Sequence, residues 1–127
     1  LEWGRDNRTT GIRVPLSSAT ARRVENRIAG MDCNPYLGIA ASLACGYLGL
    51  TEERQPAPEF KGDAYDGDGD IPRVLGSALD LFDAAAPLHK VLGSEFARVY
   101  SIVKRAEYDE FLQVISPWER EHLLMNV

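Results

Sequence analysis

The sequence lacks the features that mark membrane-spanning and secreted proteins. No apolar run approaches the roughly 18 residues of a membrane span, and no basic segment followed by an apolar one indicates a signal peptide. Only two cysteines occur in the 127 residues, Cys33 and Cys45, and neither belongs to a CxxC motif. We therefore expect a cytoplasmic protein whose cysteines are reduced and act as small, buried packing residues.

Basic residues are scarce beyond the first 30 positions. The formal net charge is −5, and because phosphate neutralisation needs a basic surface we expect no nucleic-acid partner. Residues 1–30 nevertheless carry a net charge of +3, from six arginines against three acidic residues. No lysine precedes Lys61. Arginine suits the bidentate binding of phosphate and carboxylate, so this basic segment indicates an anionic ligand or partner.

Two short segments follow the alternation expected of β-strands. Residues 9–15 are rich in β-branched side chains and end at Pro15. Residues 22–28 alternate so that Arg23, Glu25 and Arg27 share one face. The link over 16–21 is short and made of small residues. We expect two antiparallel strands that belong to a larger sheet, because two strands alone are marginally stable.

A helix with no polar face follows the strands. Asn34 is suited to cap its first N–H groups, and Pro35 occupies the first helical position. The run from Tyr36 to Leu48 contains no charged residue, which predicts a helix buried on all sides. Gly49 is the expected end of this helix.

The remaining chain predicts a long loop and then helices. Pro and Gly recur over residues 51–74, as in loops. We expect Ser77 to open a helix that runs to about Ala86, before Pro87, and Ser94 to cap a longer one. The expected core face of that longer helix comprises Phe96, Val99, Tyr100, Val103, Phe111, Val114 and Ile115.

A short terminal helix completes an α+β chain. Ser116 and Glu119 have the spacing of a capping box, with Pro117 between them at the first helical position. This helix is expected to carry Leu123, Leu124 and Met125. The predicted elements do not enclose a core, and the first residue is Leu1 rather than methionine. We expect residues 1–127 to be a segment of a larger domain, or a chain that a partner completes.

The strongest candidate for a functional site is the pattern Arg23-x-Glu25-x-Arg27. It is compatible with a solvent-facing edge strand that forms cross-strand ion pairs. Alternatively, a carboxylate between two guanidiniums can bind a divalent cation that neutralises phosphates. Arg8 and Arg13, on the neighbouring segment, are expected to converge on the same pocket. Several arginines and one carboxylate around a cavity favour phosphoryl transfer, in which positioning and charge stabilisation dominate catalysis.

The order of the motifs in residues 3–50 resembles a known family. The blocks are Asn7-Arg8, Gly11-Ile12-Arg13-Val14-Pro15, Ala21-Arg22-Arg23-Val24-Glu25-Asn26-Arg27, Asp32-Cys33-Asn34-Pro35-Tyr36-Leu37 and the apolar helix. In this order they are similar to the C-terminal part of the catalytic domain of the glutamine synthetase family. The resemblance implies an ATP-dependent ligase in which glutamate becomes γ-glutamyl phosphate and ammonia or an amine then displaces phosphate.

The resemblance also implies roles for five residues. Arg8 resembles an arginine shared between nucleotide phosphate and glutamate, and Arg13 and Arg23 resemble ATP-phosphate arginines. Glu25 resembles a ligand of the Mg²⁺ or Mn²⁺ that bridges the phosphates. Arg27 resembles the arginine that holds the γ-carboxylate during transfer. Whole relatives form homo-oligomers with sites between subunits. The alternative is a non-catalytic fragment that binds a nucleotide or serves assembly.

One departure from the common pattern concerns the amine. Asn26 stands where common glutamine synthetases have an apolar residue, and Ile28-Ala29-Gly30-Met31-Asp32 replaces their early Pro-Asp. The Glu-Asn-Arg sequence resembles the γ-glutamylpolyamine synthetase branch, whose nucleophile is an amine such as putrescine. The sequence therefore leaves ammonia and organic amines open as acceptors.

Several other conspicuous residues are interpreted as structural. The acidic run at Asp66, Asp68 and Asp70 lacks the Gly and Glu that a calcium loop needs at positions 71 and 77, so we expect a solvated turn. Tyr65 lies where some bacterial relatives carry a regulatory adenylylated tyrosine, but the surrounding motif is not retained. We expect surface or capping roles for His89 and His122, and packing roles for Trp3 and Trp118.

Overall fold

The computed structural model describes residues 1–67 and 69–124, which form two compact units. The first unit is Leu1–Ile71, and the second begins at Pro72. The strands are β1 (Trp3–Arg5), β2 (Ile12–Val14) and β3 (Glu25–Asn26); the helices are α1 (Pro35–Thr51), α2 (Leu75–Ala84), α3 (Ala86–Leu92), α4 (Ser94–Leu112) and α5 (Pro117–His122). This mixture confirms the α+β prediction. No helix of the described part is long and apolar enough to cross a membrane.

The sheet has three strands in the order β1-β2-β3. The predicted antiparallel pairing is confirmed, because β2 and β3 run antiparallel with Arg13 opposite Glu25. The first strand, β1, pairs parallel to β2 and was not predicted. With three residues it is too short to show a period. The 16–21 link contains a single 3₁₀ turn at Ala19–Ala21.

The loop over 51–74 packs back onto the sheet. The Phe60 amide donates to the Trp3 carbonyl at 2.9 Å, and the Trp3 indole donates to the Ala57 carbonyl at 2.6 Å. Trp3 is half-buried, which confirms its packing role. The loop holds one 3₁₀ turn, Ala64–Asp66. Asp66 and Asp70 are exposed, as a solvated turn requires, and Asp68 lies outside the described residues.

Helix α1 begins as predicted and ends later. The Asn34 side chain accepts from the Tyr36 and Leu37 amides at 3.0 and 3.4 Å, so the cap is confirmed. The prediction that Gly49 ends the helix is wrong. The helix continues through Thr51, whose hydroxyl donates to the Tyr47 carbonyl at 2.9 Å.

The burial predicted for α1 is also wrong. Ala44 is its one buried residue, and five large apolar side chains are between 58% and 83% exposed. These side chains are Tyr36, Ile39, Leu43, Tyr47 and Leu50. Strands of two and three residues cannot cover a helix of 17 residues. Cys33 and Cys45 are free, as expected, but exposed, so their buried packing role is wrong for the same reason.

In the second unit α2 and α3 pack against α4. The predicted start of α2 is wrong, and α4 begins at Ser94 but without the predicted cap. Helix α2 begins at Leu75, before Ser77, and α3 continues the chain past Pro87. The Ser94 side chain makes no capping hydrogen bond; Gly93 precedes α4 with a φ of 95°. The capping box of α5 is confirmed, with the Glu119 amide donating to the Ser116 hydroxyl at 3.2 Å. The last helical residue of α5 is His122, and Met125 lies outside the described residues.

The face of α4 that packs is not the predicted apolar stripe. Most of that stripe is exposed, including Val103 at 47% and Phe111 at 67%. Of the predicted stripe, Tyr100 is half-buried; the other buried and half-buried positions of α4 are Ala97, Ser101, Lys104, Arg105 and Tyr108. Small residues on this face allow close approach of helices, and Arg105 pairs with Asp80 and Asp83 of α2 at 2.8 and 2.6 Å. These polar contacts fix the orientation of α4 against α2.

Of the remaining predictions, the one for Trp118 is wrong and the one for His122 is confirmed. Trp118 is 60% exposed, so its packing role is wrong; its ring stacks on His122 at 4.7 Å. A capping role is confirmed for His122, whose Nδ1 lies 3.0 Å from the Trp118 carbonyl oxygen. His89 lies in the last turn of α3 and is half-buried. The centroids of its ring and of the Phe82 ring lie 4.8 Å apart.

Gly4 is expected to tolerate no side chain. It is buried in β1, where a Cβ would lie 2.9 Å from the Asn7 Cβ and 3.1 Å from the Phe60 carbonyl oxygen. We expect Gly4→Ala to lower the free energy of unfolding by about 1–3 kcal/mol. The matched control is Gly46→Ala in α1, where no atom lies within 4 Å of the added Cβ. Alanine there should raise the free energy of unfolding by about 0.5–1 kcal/mol. Urea unfolding of the three chains checks this, and equal midpoints for wild type and Gly4→Ala would contradict it.

Candidate active site

The centre of the candidate site is an arginine–glutamate pair across two strands. Arg13 lies in the middle of β2 and Glu25 opens β3, directly opposite. The Arg13 Nη1 donates to Glu25 Oε2 at 2.7 Å. The Arg23 Nε donates to the other oxygen, Oε1, at 3.0 Å. The Glu25 carboxylate therefore bridges two guanidiniums, but these belong to Arg13 and Arg23, not to the Arg23 and Arg27 of the alternating pattern.

A second carboxylate, which sequence reasoning missed, completes the cluster. Asp6 follows β1 and accepts a hydrogen bond from Arg13 Nη2. The Arg13 side chain is only 13% exposed, and its Nε is buried without a partner in the part of the chain described. The one sequence signal for Asp6 is its place two positions before Arg8, because β1 shows no strand pattern that would bring it to Arg13.

The ion pairs shift the pKa values of both central groups. The hydrogen bond from Arg13, helped by Arg23, lowers the pKa of Glu25 against the opposing effect of burial. The hydrogen bonds to Glu25 and Asp6 raise the pKa of Arg13. Glu25 and Arg13 are therefore both ionised at neutral pH, and the site is a balanced cluster of charges rather than a bare basic patch.

The lowered pKa of Glu25 predicts a pH dependence of stability. Because the folded pKa lies below the unfolded one, Glu25 stabilises the fold above the unfolded value of about 4.3. This stabilisation is lost as the pH falls through the folded pKa. We expect wild type to exceed Glu25→Gln in urea midpoint at neutral pH, and the difference to shrink below about pH 4. A difference that stays constant from neutral to acidic pH would contradict the prediction.

The other two predicted arginines have no hydrogen-bond or ion-pair partner in this cluster. Arg8 lies in the turn between β1 and β2, and Arg27 directly follows β3; both are exposed. The Arg27 amide donates to the Gly11 carbonyl at 2.8 Å, which ties this position to the start of β2. Within the described residues neither guanidinium makes a hydrogen bond or ion pair. The structure thus brings Arg13, Arg23 and Glu25 into contact and leaves Arg8 and Arg27 available.

Asn26 faces away from the charged cluster. Its Nδ2 donates to the Ser42 hydroxyl of α1 at 2.9 Å, and its Oδ1 accepts from the Ile28 amide at 3.0 Å. Ser42 in turn donates to the Gly38 carbonyl at 2.8 Å. Asn26 therefore joins β3 to α1 instead of lining the space in front of the arginines.

Comparison with known proteins matches the sequence to one family. Residues 1–123 match the family described as "Glutamine synthetase, catalytic domain". The chain belongs to this family. It is 36% identical over 121 residues to the glutamate–isopropylamine ligase of a Pseudomonas species, covering 92% of the chain and 26% of the relative. It is 35% identical over 129 residues to the glutamine synthetase of Methanocaldococcus jannaschii, covering 94% and 28%.

A third member of the glutamine synthetase family carries another acceptor in its name. The γ-glutamylputrescine synthetase of Escherichia coli is 36% identical over 125 residues, covering 98% of the chain and 26% of the relative. The chain thus spans about a quarter of the length of the relatives it matches. The names of these relatives give different nitrogen acceptors, so similarity to them does not select one.

The residues present fit part of the metal and nucleotide chemistry of the glutamine synthetase family. Guanidiniums suit nucleotide phosphates, and Mg²⁺ is commonly bound through one or two carboxylates together with substrate phosphates. Glu25 supplies one such carboxylate, although both of its oxygens contact arginines. Over the described ranges no group of three acidic, histidine or cysteine side chains is placed to hold a metal ion. Further ligands would have to come from phosphates or from other parts of the protein.

Proposed function

We propose that residues 1–127 form the C-terminal segment of a glutamine synthetase-like catalytic domain. In this proposal the segment supplies one wall of a site that joins glutamate to ammonia or an organic amine at the expense of ATP. The observation that carries it is the Glu25 carboxylate held between Arg13 and Arg23. Family membership and the names of the relatives support it.

The two paired arginines would bind the phosphates of ATP. Arg13 is braced and largely buried, whereas the Arg23 side chain is 53% exposed. Before the nucleotide arrives, Glu25 pairs with both guanidiniums. Glu25 would hold Mg²⁺ or Mn²⁺, which would supply positive charge to the phosphates. The N–H donors of Arg13 and Arg23 that otherwise pair with Glu25 would then donate to phosphate oxygens, so nucleotide and cation are expected to bind together.

Arg8 and Arg27 would act on the transferring groups. Their exposed guanidiniums carry no counter-ion in the described residues, so they can accept a carboxylate or phosphate without breaking an ion pair. In the proposed step a γ-carboxylate oxygen of glutamate attacks the γ-phosphorus of ATP, and ADP leaves. Arg27 holds this carboxylate, and Arg8 spans nucleotide phosphate and glutamate. The amine then attacks the acyl carbon, loses a proton, and expels phosphate with the bridging oxygen.

The acceptor is the finer part of the proposal. The names of the relatives include an isopropylamine ligase, a γ-glutamylputrescine synthetase and a γ-glutamylethanolamide synthetase as well as a glutamine synthetase. Asn26 contacts Ser42 rather than the charged cluster, so its difference from common glutamine synthetases does not by itself place an amine. We propose ammonia or an organic amine as the acceptor, a cytoplasmic location, and a homo-oligomer as the working assembly.

Turnover by the complete gene product tests the proposed function. We expect phosphate release that requires ATP, glutamate, Mg²⁺ and an amine, with ammonia, putrescine, isopropylamine and ethanolamine compared in turn. The 127-residue chain alone is expected not to turn over. Absence of glutamate-dependent release from the complete gene product would favour the alternative, a non-catalytic nucleotide-binding or assembly protein. Turnover by the isolated chain would overturn the proposal that it is a segment.

A further inference from the structure

We propose that Asp6 is a positioning residue that keeps Arg13 aimed at the phosphates when Glu25 turns to a cation. The inference rests on the proposed function and adds a residue to it. It starts from a contrast within the cluster. Within the described residues Arg13 has two carboxylate partners, on different nitrogens, whereas Arg23 has one, Glu25.

Two links tie Asp6 to β2. Its backbone amide donates to the Val14 carbonyl at 3.0 Å, so the residue is anchored beside Arg13. Its side chain accepts from Arg13 Nη2. Its φ of 50° is in the left-handed region, which aspartate tolerates better than most residues. The Asp6 carboxylate contacts Nη2, whereas Glu25 contacts Nη1, so the two carboxylates hold different nitrogens of the guanidinium.

The second carboxylate matters because Glu25 has another proposed task. A guanidinium is planar, so contacts at Nη1 and Nη2 fix both its place and its plane. If Glu25 were the sole partner, Arg13 would lose its orientation when Glu25 becomes a metal ligand. Asp6 holds Nη2 throughout and leaves Nη1 to donate elsewhere. Asp6 thereby keeps Arg13 in the same orientation whether Glu25 pairs with Arg13 or binds a cation.

A purely structural role for Asp6 can be separated from this positioning role by two variants. Glycine adopts positive φ freely, so Asp6→Gly keeps the turn and removes the carboxylate. Asparagine also tolerates this backbone and retains an oxygen acceptor, so Asp6→Asn keeps a neutral hydrogen bond to Arg13. If only the backbone mattered, both variants would behave like wild type.

Arginine modification tests the inference without any turnover. The complete gene product is treated with phenylglyoxal, and the rate at each arginine is measured by peptide mass spectrometry. We expect Arg13 to react at least several-fold faster in Asp6→Gly than in wild type, with Asp6→Asn between them. Arg98, which pairs with Glu95 elsewhere in the chain, is the internal control and should not change. An unchanged Arg13 rate in Asp6→Gly would overturn the inference.

Steady-state kinetics supply the second readout. We expect Asp6→Gly to raise the KM for ATP by about tenfold with kcat within about twofold, the pattern of lost uniform binding. Asp6→Asn should restore most of the loss, because its amide oxygen still accepts from Nη2. An unchanged KM in Asp6→Gly, or no recovery in Asp6→Asn, would contradict positioning. A wild type that shows no turnover would refute the proposed function, while the phenylglyoxal result would still decide the role of Asp6.

Discussion

Glu25→Gln is expected to lower the kcat of the complete gene product by about 10²–10³-fold, the range found when one preorganised electrostatic contact of a transition state is removed. Glutamine keeps an oxygen that can accept from one arginine but has no charge with which to hold a divalent cation. The variant should therefore need a higher Mg²⁺ concentration for half-maximal turnover than wild type.

The same variant should bind metal-free ATP more tightly than wild type. In wild type Glu25 occupies Arg13 and Arg23, so phosphates must compete with it. Without its charge both guanidiniums attract the phosphates more strongly, and the affinity for ATP in the presence of a chelator should rise. Isothermal titration with and without Mg²⁺ measures both effects. The matched control is Glu95→Gln, which removes a carboxylate paired with Arg98 in the second unit and should change neither.

Equal Mg²⁺ dependence in wild type and Glu25→Gln would show that Glu25 is not a metal ligand. It would favour the simpler interpretation of the alternating charges as cross-strand ion pairs. That interpretation predicts an effect of Glu25→Gln on stability alone, with its loss toward acidic pH, and no effect on nucleotide binding.

Arg27→Ala is expected to lower kcat by about 10³-fold, with a smaller effect on the KM for ATP. The reason is that Arg27 is assigned to the γ-carboxylate and to the charge that develops during transfer, contacts that strengthen in the transition state. Arg27→Lys should recover only part of the loss, because lysine keeps the charge but not the bidentate geometry.

The control for Arg27 is Arg22→Ala. Arg22 is also exposed and belongs to the same basic segment, but it carries no assigned role. We expect it to change kcat by less than about twofold, as an ordinary surface substitution would. Equal losses in the two variants would mean that the arginines act through overall positive charge and not through assigned contacts.

Alternation predicts that Glu25 lies among arginines, but it does not predict which arginines pair with it. It suggests Arg23 and Arg27 on the same strand face, whereas the register of β2 and β3 brings Arg13 opposite Glu25, and the pairs form with Arg13 and Arg23. Asp6 could not be found in this way. Its position beside Arg13 depends on β1, whose three residues show no periodicity. It also depends on a left-handed backbone conformation at Asp6, which the sequence does not predict.

The helices show a second reason for wrong predictions. Composition correctly marks α1 as apolar, but burial depends on what covers it, and the described residues leave Leu43 69% exposed. For α4 the predicted stripe followed hydrophobicity. The observed face follows small residues, together with Arg105 and its aspartate partners on α2. Hydrophobic periodicity predicts which face can be buried, whereas specific polar contacts and available neighbours decide which face is buried.

Isotope transfer tests the central proposal most directly. The complete gene product is supplied with glutamate carrying ¹⁸O in both γ-carboxylate oxygens, together with unlabelled ATP, Mg²⁺ and the best amine, and the released phosphate is analysed by mass spectrometry. Attack of the γ-carboxylate on ATP leaves one labelled oxygen bridging carbon and phosphorus, and the amine expels it with the phosphate. We expect one ¹⁸O in each phosphate formed. Phosphate without label would contradict it.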